Sequence, residues 1–86
     1  MKAAFETVWN KIIDHEGETF YTPSQKKPFT YQMYDGYLIV SNAPTTQNTK
    51  ANIRRGYDII DSCTRTEFSH TIIGSSYVRA LLEAFM

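Results

Sequence analysis

The 86-residue chain has little of what assigns a sequence to a specialised class of protein. It contains one cysteine, Cys63, which excludes an internal disulfide framework and predicts a reducing, cytoplasmic compartment. It has no apolar run of the about 18 residues that a membrane-spanning helix needs. Its first residues are too interrupted in apolar character for a secretory signal. We therefore expect a protein without membrane association.

The chain also lacks an excess of charge of either sign. Nine Lys and Arg residues balance nine Asp and Glu residues, which removes the simplest argument for nucleic-acid binding, because that argument depends on surplus positive charge. Although the charges cancel in total, they are unevenly distributed along the chain. Residues 26–55 carry five positive side chains against Asp35 alone, so the middle of the chain predicts a locally basic surface.

No catalytic or metal-binding motif stands out. Cys63 falls on the buried stripe of a predicted helix, where a thiol is not exposed enough to act as a nucleophile. His15, Glu16 and Glu18 follow a helix, but they lack the fixed helical spacing and the further ligand that zinc requires. We therefore expect no enzymatic activity, no cofactor and no metal site.

Residues 18–41 specify their own strand register. Asp35-Gly36 separates two β-rich runs, and a two-residue Asp-Gly loop favours a type I′ turn with positive φ at both residues. The predicted pairs are Tyr34 with Tyr37, Met33 with Leu38, Gln32 with Ile39 and Tyr31 with Val40. Because side chains alternate along a strand, one face is apolar, with Phe29, Tyr31, Met33, Leu38 and Val40. The other face includes Tyr34, Tyr37 and Ile39.

The remaining segments predict three helices and one further strand. An apolar stripe at helical spacing predicts helix one over residues 2–15, and a strand over residues 18–22 precedes the hairpin. Residues 42–49 predict a polar loop. Helix two follows to about residue 62, with Asn48 or Thr49 as N-cap, and helix three opens with Ser75 or Ser76 as cap. Residues 64–73 fit a short strand or a loop with a helical turn equally well.

Together these elements predict one α+β domain over residues 1–86. The expected order is α-β-β-β-α-α: an N-terminal helix, a three-stranded antiparallel meander and two C-terminal helices in two layers. Helix one is the expected lid over the apolar face of the sheet, because a sheet of this size is not stable alone. Trp9 is its largest contributor.

Several short phrases of the sequence form a recognisable series: His15-Glu16-Gly17-Glu18, Phe20-Tyr21-Thr22, Pro28-Phe29-Thr30-Tyr31, Thr49-Lys50 and Gly74-Ser75-Ser76-Tyr77-Val78. The series resembles a small bacterial or phage domain of uncharacterised proteins associated with mobile DNA and restriction. Ser75 and Arg79 depart from that pattern, which usually has proline and an aromatic residue there. The resemblance implies a structural role for the motif residues and a function in DNA handling or phage–host conflict.

A basic pole is the first candidate site. In the hairpin geometry Lys26 and Lys27 lie at the end opposite the Asp35-Gly36 turn. Residues 42–49 are expected to leave the sheet at that same end, so helix two should begin nearby. The predicted basic pole consists of Lys26, Lys27, Lys50, Arg54 and Arg55. With the N-terminus of helix two it would bind phosphate or the carboxylates of a partner; alternatively, these are solvated charges without a ligand.

An aromatic patch is the second candidate site. If helices two and three cover the face that carries Tyr34 and Tyr37, the two rings are core residues. If they do not, the rings form a protein-binding patch, since tyrosine is enriched in binding hot spots. The stacking of bases on these rings is disfavoured, because Lys26 and Lys27 lie at the far end of the strands.

Two functions follow from these candidates. The first is a non-catalytic interaction protein of bacterial or phage origin, a monomer or small homo-oligomer. It would dock onto a protein or nucleoprotein partner, such as a restriction or CRISPR nuclease that it inhibits. The alternative is a nucleic-acid-binding module that uses the basic pole on phosphates, with affinity that falls steeply with salt.

Overall fold

The computed structural model of the protein describes residues 3–23 and 25–86. Its elements follow the order α1 (Phe5–Asp14), β1 (Phe20–Tyr21), β2 (Pro28–Phe29), β3 (Tyr31–Tyr34), β4 (Tyr37–Val40), β5 (Ala43–Thr49), α2 (Lys50–Ile59), α3 (Arg65–Thr71) and α4 (Ser75–Phe85). The α+β class is confirmed, with four helices in the described residues where three were predicted. Lys2, the predicted start of the first helix, lies outside those residues. None of the described helices is both long and apolar enough to cross a membrane.

The predicted hairpin register is confirmed at all four pairs, from Tyr34 with Tyr37 to Tyr31 with Val40. The predicted turn type is wrong. Gly36 has φ of 81°, whereas Asp35 is not among the residues with positive φ. A negative φ followed by a positive one is the combination of a type II turn. Glycine at the second position is sufficient for it.

The predicted meander is only partly confirmed, because the strands form two sheets. β1 pairs with β2 in a two-stranded sheet, and β3, β4 and β5 form a three-stranded antiparallel sheet in that order. The third strand of the main sheet is therefore the segment predicted as a polar loop. β5 is an edge strand of which Asn48 alone is buried, so its sequence carries no apolar alternation that marks a strand.

The outer edge of β3 is closed by the residues that follow α1. The backbone N–H of Met33 donates to the Glu16 carboxylate at 2.5 Å, and the N–H of Gly17 donates to the Tyr31 carbonyl at 3.1 Å. These bonds satisfy groups that an edge strand otherwise presents to other chains. His15 and Glu18 bond each other, with 2.7 Å between Nδ1 and Oε2.

The core lies between the helices and one face of the main sheet. α4 contacts α1, α2, α3 and β1, and the predicted apolar face of the hairpin points into this core. Gly56 of α2 permits the predicted close packing, because a Cβ atom there would lie 3.1 Å from Val78 Cγ1. The buried apolar residues include Val8, Ile12, Tyr31, Leu38, Ile53, Phe68, Val78, Leu81 and Leu82.

The N-termini of α3 and α4 differ from what the sequence predicts. Residues 65–71 form α3, which opens with a capping box between Thr64 and Glu67. The Thr64 N–H donates to the Glu67 carboxylate at 2.8 Å, and this bond and the one with the Thr64 side chain hold the pKa of Glu67 below its usual value. The predicted serine cap of the last helix is wrong. Gly74, in the left-handed region with φ of 63°, is the N-cap of α4 without a side-chain bond.

Candidate functional site

The structure does not assemble the predicted basic pole. β5 runs back along β4, so α2 begins at the Asp35–Gly36 end of the sheet, where the Lys50 N–H donates to the Gly36 carbonyl at 2.9 Å. Lys26 and Lys27 stay in the turn between β1 and β2, which precedes β3 at its other end. The prediction of one shared end is wrong, because a strand, not a loop, connects the hairpin to α2.

Two positive side chains of α2, those of Lys50 and Arg54, contact α1. Lys50 Nζ lies 3.5 Å from Glu6 Oε1 and 5.5 Å from the centroid of the Trp9 ring. Arg54 Cζ lies 5.1 Å from the centroid of the Phe5 ring. Such cation–π contacts stabilise the packing of the two helices. These contacts give Lys50 and Arg54 a packing role that needs no ligand, while Arg55 is exposed on the same helix.

The aromatic patch of Tyr34 and Tyr37 is a stacked pair of rings. Their centroids are 5.3 Å apart and their planes are inclined by 12°. The residues are cross-strand partners next to the turn, which places their side chains on one face of the sheet at contact distance. Tyr34 is 48% exposed and Tyr37 is half-buried. Tyr34 is therefore not a core residue.

The pair lies on the outer face of the main sheet, which we define by Gln32, Tyr34, Tyr37, Ile39, Gln47 and Thr49. Every one of these side chains is exposed or half-buried, in contrast to the inner face. The Tyr34 hydroxyl donates to Gln32 Oε1 at 3.3 Å. Beside the pair is a depression of about 200 Å³, whose lining includes Gln32, Tyr34, Ile39 and Pro44. The outer face thus combines aromatic surface with amide groups.

A second concave surface lies where α4 begins and was not predicted as a site. It is lined by residues from α3 and α4, among them Arg65, Ser69, Ser75, Ser76 and Arg79. Sequence reasoning gave the two serines a capping role only and left the structure of the α3 segment open. Pro23 lines this surface together with residues of the two helices, so no local sequence pattern indicates it.

The described residues of the two concave surfaces do not include a cluster of metal-binding side chains. In the described parts of the chain, no three His, Cys, Asp or Glu side chains lie close enough together to hold a metal ion. His15 bonds Glu18, and its ring stacks on Phe85 with 5.0 Å between centroids. The cluster after α1 therefore has contacts that account for it structurally.

Comparison of the chain with protein-family models, curated proteins and solved structures finds no significant match. The resemblance of its short phrases to a domain associated with mobile DNA therefore stays a prediction.

Proposed function

We propose that the protein is a non-catalytic interaction domain that docks onto a protein partner through the outer face of its main sheet. The supporting observation is the exposed, stacked pair of Tyr34 and Tyr37. A tyrosine ring contributes a large apolar area and a polar hydroxyl, which is why this residue is enriched at protein interfaces.

The stacking itself favours binding. Association costs free energy when flexible side chains lose their rotameric freedom, by about 0.5–1.5 kcal/mol for each side chain. Two rings that already pack on each other across a hairpin have lost part of that freedom before the partner arrives. The Gln32 and Gln47 amides on the same face supply the polar groups that surround an aromatic centre in typical interfaces.

The partner class is a protein or nucleoprotein, and a restriction or CRISPR nuclease is one example of such a partner. The nucleic-acid alternative built on the basic pole has less support, because its five residues lie at two separate places. A docking protein needs no catalytic group of its own and acts by occupying a surface of the partner.

Affinity capture from a lysate of the source organism tests the proposal with three forms of the protein. Tyr34→Ala should lose a partner that the wild type retains, and its affinity should fall roughly 30-fold or more, as expected for a hot-spot residue worth about 2 kcal/mol. Tyr21→Ala is the matched control, because Tyr21 is 60% exposed on the other sheet, and it should retain the same partner. Equal capture by all three forms contradicts the proposal.

Sedimentation of the purified protein separates a partner from a second copy of the chain. We expect the same sedimentation for wild type and Tyr34→Ala over a range of concentrations. A dimer that forms with the wild type and is lost in Tyr34→Ala assigns the outer face to self-association and overturns the proposed docking onto another protein.

A further inference from the structure

The guanidinium group of Arg79 is largely buried and incompletely bonded. Its side chain is 19% exposed, and Cζ lies 5.2 Å from the centroid of the Phe68 ring. Nε lies 3.4 Å from Glu83 Oε1, an ion-pair distance, yet neither Nε nor Nη1 has a hydrogen-bond acceptor among the described residues. Buried donors without an acceptor cost free energy. A ligand that offers an acceptor beside the guanidinium group would remove this cost.

Arg79 lines a cavity of about 130 Å³ together with Arg65 and three serine residues, Ser69, Ser75 and Ser76. A wider hollow of about 370 Å³ is also lined by the three serines, and by Lys27. We call these six residues the α4 cavity. No Asp or Glu among the described residues lines either part. The lining of the α4 cavity therefore carries three hydroxyl groups and three positive side chains, of which Arg79 is paired with Glu83.

We propose that the α4 cavity binds a phosphate group, carried either by a small phosphate monoester or by a nucleic-acid backbone. The planar guanidinium presents several N–H donors in a fixed arrangement that matches phosphate oxygens. Serine hydroxyls donate to the same oxygens. Since a water molecule takes about 30 Å³ in the liquid, the inner part of about 130 Å³ has room for four phosphate oxygens.

The start of α4 adds to this arrangement. Ser75 and Ser76 are its first two residues, and the N-cap residue, Gly74, makes no side-chain bond to the helix. The first N–H groups of a helix have no intrahelical acceptor, and the positive end of the helix dipole favours an anion. The α4 cavity thus receives donors from a helix terminus, from hydroxyl groups and from two arginines on separate helices.

The site is independent of the docking face. The two surfaces share no residue, so Tyr34→Ala should leave phosphate binding unchanged. Of the residues in the predicted basic pole, Lys27 alone belongs to the α4 cavity; its three positive charges come from segments that folding brings together.

Titration of the ¹⁵N-labelled protein with inorganic phosphate, followed by amide chemical shifts, tests the proposal. The wild type should show saturable shifts at Ser75 and Ser76. Arg65→Gln should weaken binding roughly tenfold or more, the effect of losing one charged hydrogen bond. Arg55→Gln is the matched control, because it removes an equally exposed arginine from α2, and it should bind like the wild type. Arg79→Lys keeps the charge, loses the planar donor group and should also weaken binding.

The same titration with a single-stranded oligonucleotide distinguishes the two sources. Tighter binding than inorganic phosphate, with the same dependence on Arg65, assigns the site to a nucleic-acid backbone. Binding of inorganic phosphate without competition from the oligonucleotide assigns it to a small phosphate monoester. Shifts that do not saturate, or equal weakening by Arg65→Gln and Arg55→Gln, overturn the proposal, because they indicate unspecific attraction between charges.

Discussion

The phenolic O–H of Tyr31 donates to the backbone carbonyl of Ile12 at 2.5 Å. Both residues are buried, and the bond joins β3 to the last turn of α1. Carbonyl groups in the last turn of a helix receive no hydrogen bond from an N–H group of that helix. Tyr31 supplies the donor that Ile12 would otherwise lack, and it fixes the helix on the apolar face of the sheet.

Replacement of Tyr31 by phenylalanine should lower the free energy of unfolding by about 1–3 kcal/mol, the cost of leaving a buried carbonyl without a donor. Urea denaturation measures the effect. Tyr21→Phe is the control, because Tyr21 is exposed, and its stability should equal that of the wild type. If the two variants unfold at the same urea concentration, the bond does not contribute to stability.

The same variant should alter the response to alkaline pH. Burial, and then the negative charges of Glu18 and Glu16, raise the pKa of Tyr31 well above its ordinary value. Above pH of about 10 the unfolded chain loses this proton while the folded protein keeps it, so stability falls by up to about 1.4 kcal/mol per pH unit. Below that pH the contribution is constant. The difference between wild type and Tyr31→Phe isolates this residue from the other groups that titrate there, and a difference independent of pH contradicts the assignment.

Glu16 should protect the backbone amide of Met33 from hydrogen exchange. The Glu16 carboxylate is the acceptor of that N–H, and exchange requires the bond to open. Glu16→Ala should therefore speed the exchange of the Met33 amide, measured by NMR. Glu18→Ala removes a neighbouring charge that bonds His15 and should leave this amide protected. Unchanged exchange in Glu16→Ala would show that the carboxylate does not close the edge of β3.

Gly56→Ala should destabilise the protein in spite of its better helix propensity. The added Cβ would lie 3.1 Å from Val78 Cγ1, 3.2 Å from Leu82 Cδ1 and 3.2 Å from Phe68 Cζ. Alanine gains about 1 kcal/mol over glycine in a helix, whereas overpacking of a core costs about 1–3 kcal/mol. Three buried side chains must move together here, so we expect a net loss of about 1 kcal/mol.

Thermal and urea unfolding measure this loss. Ala51→Gly, at an exposed position in the first turn of the same helix, measures the propensity difference without a packing effect and should cost no more than about 1 kcal/mol, the value for a helix interior. A Gly56→Ala protein that is more stable than the wild type would show that the three neighbours give way easily.

The parts of the fold that could be predicted are those specified by local sequence signals, such as turns, apolar stripes and helix caps. The Asp35-Gly36 turn determines the pairing of Tyr31 with Val40, because a slip by one residue would exchange the two faces of the hairpin. The apolar stripe of α1 and the Thr49 cap of α2 are equally local signals. Thr64 and Glu67 also form a recognisable capping-box pattern, which would have identified α3.

β5 could not be predicted, and the candidate site depended on it. Ala43–Thr49 is polar because the strand lies at an edge and turns mostly exposed side chains to both faces. Its strand conformation comes from pairing with β4, a tertiary effect that leaves no periodicity in the sequence. Interpretation of this segment as a loop places Lys50 at the wrong end of the sheet. The α4 cavity could not be predicted for the same reason, since Lys27 is distant in the sequence from the serines of α3 and α4 beside which folding places it.

The unequal margins of the main sheet limit how copies of the protein associate. β3 is sealed by Glu16 and Gly17, whereas β5 pairs with no other described strand on its far side. A second molecule that extends the sheet must pair its β5 with the β5 of the first. The outer strand of the second molecule is then its own β3, whose edge is also covered by Glu16 and Gly17. Strand addition stops after two molecules, so polymerisation into fibrils through this sheet is blocked by a carboxylate and a glycine.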